Sequence, residues 1–405
     1  MTALSRTNQT FAPPVMAARR WLDGVTFPEG RPLINVSQAA PADPPPEPLR
    51  RVIAEAALNT PEAHLYGPVL GLPELRAEIA AQWQTAYGGA ISDTQVAITS
   101  GCNQAFCGAM AALCSDQDEV ILPTPWYFNH KMWLDMSGIT TVPLATSTDL
   151  LPDPEKAATL ITERTRAIVL VSPNNPGGLE YPADLVMAFY RLAQSRGITL
   201  IIDETYRDFD ARTGAPHALF DDPDWPQTLV HLYSFSKAFR LTGHRVGAII
   251  ADATLLMEVE KFLDTVAICP NQLGQIAALW GLQNMTQWCA GERAEILDRR
   301  AAIDEHWPMM AAQGWQLQGL GAFFAYVSHP FEMSSADLAP TLVREAGVLL
   351  LPGTMFYPEG DPRAPHELRI AFANIDRSGI KTLFDRLSAL PPSLRNGLAS
   401  APHSA

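Results

Sequence analysis

The sequence predicts an α/β protein: a large domain on a mostly parallel sheet flanked by helices, followed by a smaller α+β domain and preceded by an N-terminal arm. Three observations predict it. Short apolar runs at 119–122 (EVIL), 166–171 (RAIVLV) and 198–203 (ITLIID) recur with helix-patterned segments between them, as strands buried on both faces of a parallel sheet require. Past about residue 315 the pattern changes to strand candidates at 315–318, 323–327, 347–351 and 368–372, with helices near 335–346 and 376–389, the texture of an α+β unit. Residues 1–30 show no clean periodicity, and 41–48 (PADPPPEP) carry five prolines, which can neither donate to a ladder nor sit inside a helix.

These signals divide the chain into an arm and connector (1–48), a large domain (49–290) and a small domain (291–405). Residues 72–87 (LPELRAEIAAQWQTAY) have apolar positions at helical spacing with a proline in the first turn. A short strand at 95–99 and a helix at 103–114 follow, then the strand runs above and two more at 229–233 (LVHLY) and 245–250 (RVGAII). Helix patterns at 154–164 and 182–196 separate several of them, and 254–267 and 272–311 read as helices closing the large domain.

Composition narrows the function. The chain has 405 residues, 47% hydrophobic and 18% charged, which excludes disordered and fibrous classes. Its net charge is −14 and no Lys/Arg block of five or more exists, so a nucleic-acid partner is not expected. No stretch of eighteen apolar residues and no signal-peptide pattern occur, giving the expectation of a cytoplasmic protein with no membrane partner. The five cysteines form no Cys-x-x-Cys pair and read as buried thiols. No H-x₃-H cluster points to a metal, so none is expected. No G-x-G-x-x-G follows an early strand, which disfavours a nicotinamide dehydrogenase. Only five residues are lysines (Lys131, Lys156, Lys237, Lys261 and Lys381), so chemistry that needs a primary amine has few sources.

In open α/β sheets ligands bind beyond the carboxyl ends of the strands, and five segments there carry chemistry. TSGCNQAF (99–106) passes from a strand through Ser100-Gly101 into a helix, which suits a phosphate or is an ordinary cap. SPNNPGG (172–178) follows a strand and also suits a tight turn. IIDETYRDF (201–209) sets Asp203 at the end of an apolar strand, where a carboxylate needs a cationic or hydrogen-bonded partner. SFSKAFRLTGHRVG (234–247) places Lys237 at a strand end with Arg245 eight residues on; a desolvated lysine there can become a nucleophile, and a surface lysine is the plain alternative. HELRIAF (366–372) carries Arg369, whose planar fork suits a carboxylate or a salt bridge.

Together, and in this order, the five segments resemble the class I/II aminotransferase family of fold-type I pyridoxal-phosphate enzymes. HLYGPVLGLPELR (64–76), PTPWYFNHK (123–131) and LLPGTMF (350–356) extend the resemblance over nearly the whole chain. It implies a seven-stranded-type sheet, pyridoxal 5′-phosphate as cofactor, and transfer of an amino group from an L-amino acid to a 2-oxo acid. It also implies that Lys237 forms the internal Schiff base and then serves as general base, with burial and nearby positive charge depressing its pKa. Asp203 is implied to pair with the pyridine nitrogen, Asn175 and Tyr206 to donate to the ring oxygen, and Tyr127, or its neighbour Trp126, to stack on the ring. The phosphate is implied to sit on Ser100, Gly101, Cys102, Ser234, Ser236 and Arg245. Tyr66 resembles a tyrosine that reaches the other subunit's phosphate, which implies a homodimer. Arg369 is implied to clamp the substrate α-carboxylate.

Two departures bear on the substrate. Ala39, in NVSQAAPADPP (35–45), stands where the family usually has a pocket-lining glycine. No second arginine matching that of dicarboxylate-specific members is found near AICPNQLG (267–274), which favours a neutral or aromatic amino donor. Elimination or cyclisation on the same scaffold, as in aminocyclopropane-carboxylate synthases, is the alternative chemistry. A cofactor-binding regulatory module is disfavoured because about 30 residues of arm leave no room for a DNA-binding domain.

Overall fold

The computed structural model describes residues 5–390. Seven strands form the central sheet in the spatial order Val96–Thr99, Gly247–Ile250, Leu229–Ser234, Thr199–Asp203, Thr165–Val171, Glu119–Thr124 and Thr140–Ala145. The last five pair in parallel, and only Gly247–Ile250 runs against its neighbours. Alternation along the strands divides the core in two, since successive side chains point to opposite faces. Ile168, Leu170, Leu200 and Ile202 pack with helices Pro73–Tyr87 and Ala183–Arg196 on one face. Ala167, Val169 and Ile201 pack with helices Cys102–Leu113 and Ala253–Ala267 on the other. Burial on both faces is why these strands read as unbroken apolar runs.

A second, antiparallel sheet has the order Leu351–Pro352, Glu367–Ile370, Phe324–Ser328, Gln316–Gly321. Helices Ser335–Ala346 and Arg377–Ser388 cover it, and Ile34, Val36 and Ala39 from the arm enter the same core. The arm is stitched to this unit by a parallel pairing of Ile34–Asn35 with Val348–Leu349 and by the Ala371 amide donating to the Val36 carbonyl at 2.8 Å.

Several elements differ from the sequence expectation. The arm holds a helix, Pro14–Arg20, and the proline-rich connector leads directly into another, Glu47–Asn59. In both, proline occupies the first turn, where its missing N–H has no helical partner to lose. Helix Phe128–Ser137 and strand Thr140–Ala145 were not expected; the strand is at the sheet edge and contains Pro143, which obscures its pattern. The run 272–311 is two helices, Gln272–Asn284 and Thr286–Ala311, broken at Met285. The 154–164 helix stops at Leu160, and the 347–351 strand is interrupted at Leu350. Among the described residues no helix is long and apolar enough to cross a membrane.

Candidate active site

A cavity of about 450 Å³ opens beyond the carboxyl ends of the parallel strands. Strand Thr199–Asp203 ends in Asp203, which is 3% exposed. Burial pushes its carboxyl up, but His130 and Thr205 outweigh that and hold its pKa below the ordinary value. His130 Nε2 is 3.3 Å from Asp203 Oδ2, and the Thr205 amide donates to Oδ1 at 3.0 Å. His130 stacks on Phe106 with centroids 3.9 Å apart and meets Tyr127 edge-on at 4.9 Å. The carboxylate therefore stays ionised at the cavity floor without a Lys or Arg partner.

Strand Leu229–Ser234 runs into the short helix Phe235–Ala238, which carries Lys237. Its ammonium is desolvated and faces Arg245 and Arg369; these effects exceed the attraction of Asp203 and bring its pKa down to about 8. Nζ donates to the Ala39 carbonyl and lies 5.7 Å from the centre of the Tyr206 ring. The other four lysines all lie on helices, and Lys131, Lys261 and Lys381 form ion pairs within one turn.

Ser234, Ser236, Cys102 and Arg245 converge on one end of the cavity. Arg245 donates to Ser236 Oγ at 3.5 Å and to the Ser100 carbonyl at 3.4 Å. Gly101 adopts φ +85°, and a Cβ built there would lie 2.1 Å from Arg245 Nη2, so only glycine lets the helix start approach the guanidinium. Ser100 and Gly101 thus shape this end from one residue behind its lining. Burial, with Asp203 adding to it, pushes the Cys102 thiol up, so it is held protonated.

Arg369, on strand Glu367–Ile370, is 2% exposed. Nη1 donates to Asn175 Oδ1 at 2.8 Å and Nη2 to the Ser37 carbonyl at 2.5 Å, while Nε has no partner. The rings of Phe128, Phe324 and Phe356 surround it at 5.0–5.8 Å. Among the described residues no carboxylate forms an ion pair with it, and burial lowers its pKa to about 10. A buried guanidinium so placed is an anion site by its electrostatics.

Asn175, Tyr127, Tyr206 and Ala39 also line the cavity. Of the two neighbours, Tyr127 lines the cavity, whereas Trp126 packs in the core beneath. Tyr66 stands apart, 80% exposed beside Ala267–Gln272. Sequence reasoning passed over His130, although it lies inside PTPWYFNHK. It also missed the arm helix, whose Pro14, Val15, Met16 and Arg19 line the cavity mouth. Proline at its start and two arginines in its last turn were the available signal.

A buried amine of lowered pKa, an ionised carboxylate and a guanidinium beside a helix start, at the strand ends of a mostly parallel sheet, are groups that suit an enzyme working with a bound aldehyde cofactor. The comparisons with known proteins give the family: residues 31–387 match the one described as Aminotransferase class I and II, and the chain belongs to it. It is 29% identical over 337 residues to an aspartate aminotransferase of Thermotoga maritima, covering 82% of this chain and 86% of that one. To a valine–pyruvate aminotransferase of Mycobacterium tuberculosis it is 30% identical over 357 residues, 84% and 87% of the two chains. The solved structure of a Thermus thermophilus aspartate aminotransferase with maleate superposes with a TM-score of 0.85 at 25% identity, covering 96% of this chain and 99% of that one. The protein is an enzyme of the aminotransferase class, and its cofactor is pyridoxal 5′-phosphate. The residues fit that group: the cradle a Cβ at Gly101 would fill suits its phosphate, and Lys237 suits its aldehyde.

Proposed function

We propose that this enzyme moves an amino group from an L-amino acid, neutral or aromatic rather than dicarboxylic, to a 2-oxo acid. The observation that carries this reading is the pair of cations without carboxylate partners in one cavity: Lys237, poised to be a neutral amine, and Arg369, poised for an anion. When bound, the cofactor supplies an electron sink for the bonds to the substrate Cα. Lys237 would hold its aldehyde and, with Nζ free, would carry a proton to and from the substrate Cα. Asp203, kept ionised by His130 and Thr205, holds a proton on the pyridine nitrogen. Asn175, its Oδ1 occupied by Arg369, has its NH₂ left to donate to the ring oxygen alongside Tyr206. Tyr127 stacks on the ring. Ser100, Gly101, Cys102, Ser234, Ser236 and Arg245 hold the phosphate through hydroxyls, helix-start N–H groups and one guanidinium. Arg369 would bind the substrate α-carboxylate and so orient the substrate.

The apolar arm residues Val15 and Met16 at the cavity mouth support a neutral or aromatic donor. Leu65, Tyr66 and Ile268, exposed beside one another, support a homodimer in which Tyr66 reaches the partner's phosphate. Purified protein incubated with pyridoxal phosphate should be yellow, and borohydride should fix the cofactor on Lys237. A panel of amino acids added singly should bleach the visible band and release the matching 2-oxo acid. Pyruvate and ammonia released without any acceptor would replace transamination with elimination.

A further inference from the structure

Three consecutive residues of the arm hold three cations. The Ser37 carbonyl accepts from Arg369, the Ala39 carbonyl accepts from Lys237, and between them Gln38 Oε1 accepts from Arg19 Nη2 at 2.8 Å. Asn374 clamps this strap to the small domain by donating to the Gln38 carbonyl at 2.6 Å. Arg19 lines the cavity mouth and, among the described residues, forms no ion pair. It stands three residues after Met16 and four after Val15 on helix Pro14–Arg20, so all three share one face of that helix, and all three line the cavity. The mouth thus offers an apolar surface and one exposed, uncompensated guanidinium, beyond the guanidinium that suits an α-carboxylate.

We propose that Arg19, oriented by Gln38, determines specificity for the acceptor by binding the distal carboxylate of a dicarboxylic 2-oxo acid, while Val15 and Met16 receive an apolar donor side chain. The inference rests on the transamination reading, in which two substrates visit one site in turn and share Arg369. They differ in what their side chains meet, and the arm meets both kinds.

The test uses the cofactor-loaded enzyme and R19A, with Q38A as the orienting control. Binding of succinate and of butyrate, two non-reacting acids, is measured by calorimetry, and the reactions of the aminated enzyme with 2-oxoglutarate and with pyruvate by stopped-flow absorbance. In R19A, succinate affinity and kcat/KM for 2-oxoglutarate should fall about 10- to 100-fold, the scale of a charge-assisted hydrogen bond. Butyrate, pyruvate and the melting temperature should stay within about twofold or a degree or two, as an exposed residue predicts. Q38A should show a smaller loss of the same selectivity. Equal losses for both acids, no loss, or a wild type indifferent to 2-oxoglutarate would overturn the role of Arg19. A wild type that reacts with no amino or 2-oxo acid would instead overturn the transamination reading.

Discussion

Arg369 Nη1 lies 2.8 Å from Asn175 Oδ1, a bond that joins a strand of the small sheet to the loop after Thr165–Val171. It orients with a single contact two side chains of the proposed substrate and cofactor sites. Arg369→Lys keeps the charge but loses the planar fork. On the proposed reading its bidentate grip on the substrate carboxylate is then lost, and kcat/KM should fall about 10²- to 10⁴-fold with the cofactor's visible band retained. Steady-state rates and spectra of R369K check this; an unchanged kcat/KM would remove Arg369 from substrate binding.

Lys237→Ala should lower turnover at least 10³-fold, about the worth of a positioned proton carrier. Pyridoxal phosphate should still bind, because Arg245 and the Gly101 helix start remain. Mass spectrometry after borohydride should find no cofactor attached to the chain. Attachment at one of the helical lysines would contradict the assignment.

The acidity of Lys237 has a sign that can be measured. Its pKa falls from 10.5 to about 8 in the fold, so the fold disfavours the ammonium. That penalty is full below about pH 8 and fades toward the ordinary lysine value. Reaction of the cofactor-free protein with pyridoxal, which lacks the phosphate, should therefore accelerate as pH rises through about 8. Arg245→Gln removes one cause of the depression and should move the midpoint upward.

Gly101→Ala would set a methyl against Arg245 at 2.1 Å and hold alanine at φ +85°. Strain of about 1–3 kcal/mol should appear as pyridoxal-phosphate affinity weakened roughly 10- to 100-fold, measurable by fluorescence titration of cofactor-free protein. Wild-type affinity in G101A would show that this turn does not form the cradle.

One peptide bond beyond Asp203, Glu204 points to the opposite side of the sheet, where it accepts from Tyr87 and from His231 at 2.9 Å, with His217 at 3.4 Å. The Leu219 amide donates to His217 Nδ1 at 3.3 Å. Burial pushes the Glu204 carboxyl up, but the histidines and Tyr87 hold it well below the ordinary value. Its stabilisation is present above the unfolded value of about 4.5 and is lost as pH falls below it. Glu204→Ala should cost about 3–5 kcal/mol at neutral pH and flatten the acid side of the stability profile. Denaturant melts at pH 7 and pH 4 test both statements.

How much of this was legible in the sequence follows from how each feature is built. Asp203 ends one strand buried on both faces, and Lys237 follows another by three residues; such strands produce continuous apolar runs, so a charge at or just past the end is conspicuous. His130 is hidden because its meaning depends on Asp203, a residue distant in sequence that only the parallel sheet brings within 3.3 Å. Helix Pro14–Arg20 spans seven residues, too few for a helical period to show. Strand Thr140–Ala145 carries a proline that an edge tolerates, and the break at Met285 falls within an otherwise continuous helical pattern.

The strap Ser37–Gln38–Ala39 has a kinetic consequence. Its groups each take one donor of Arg369, Arg19 and Lys237, so on the proposed reading an incoming acid competes with bonds the chain makes with itself. Such competition would moderate affinity and quicken dissociation, which suits an enzyme that must empty one site twice in each cycle.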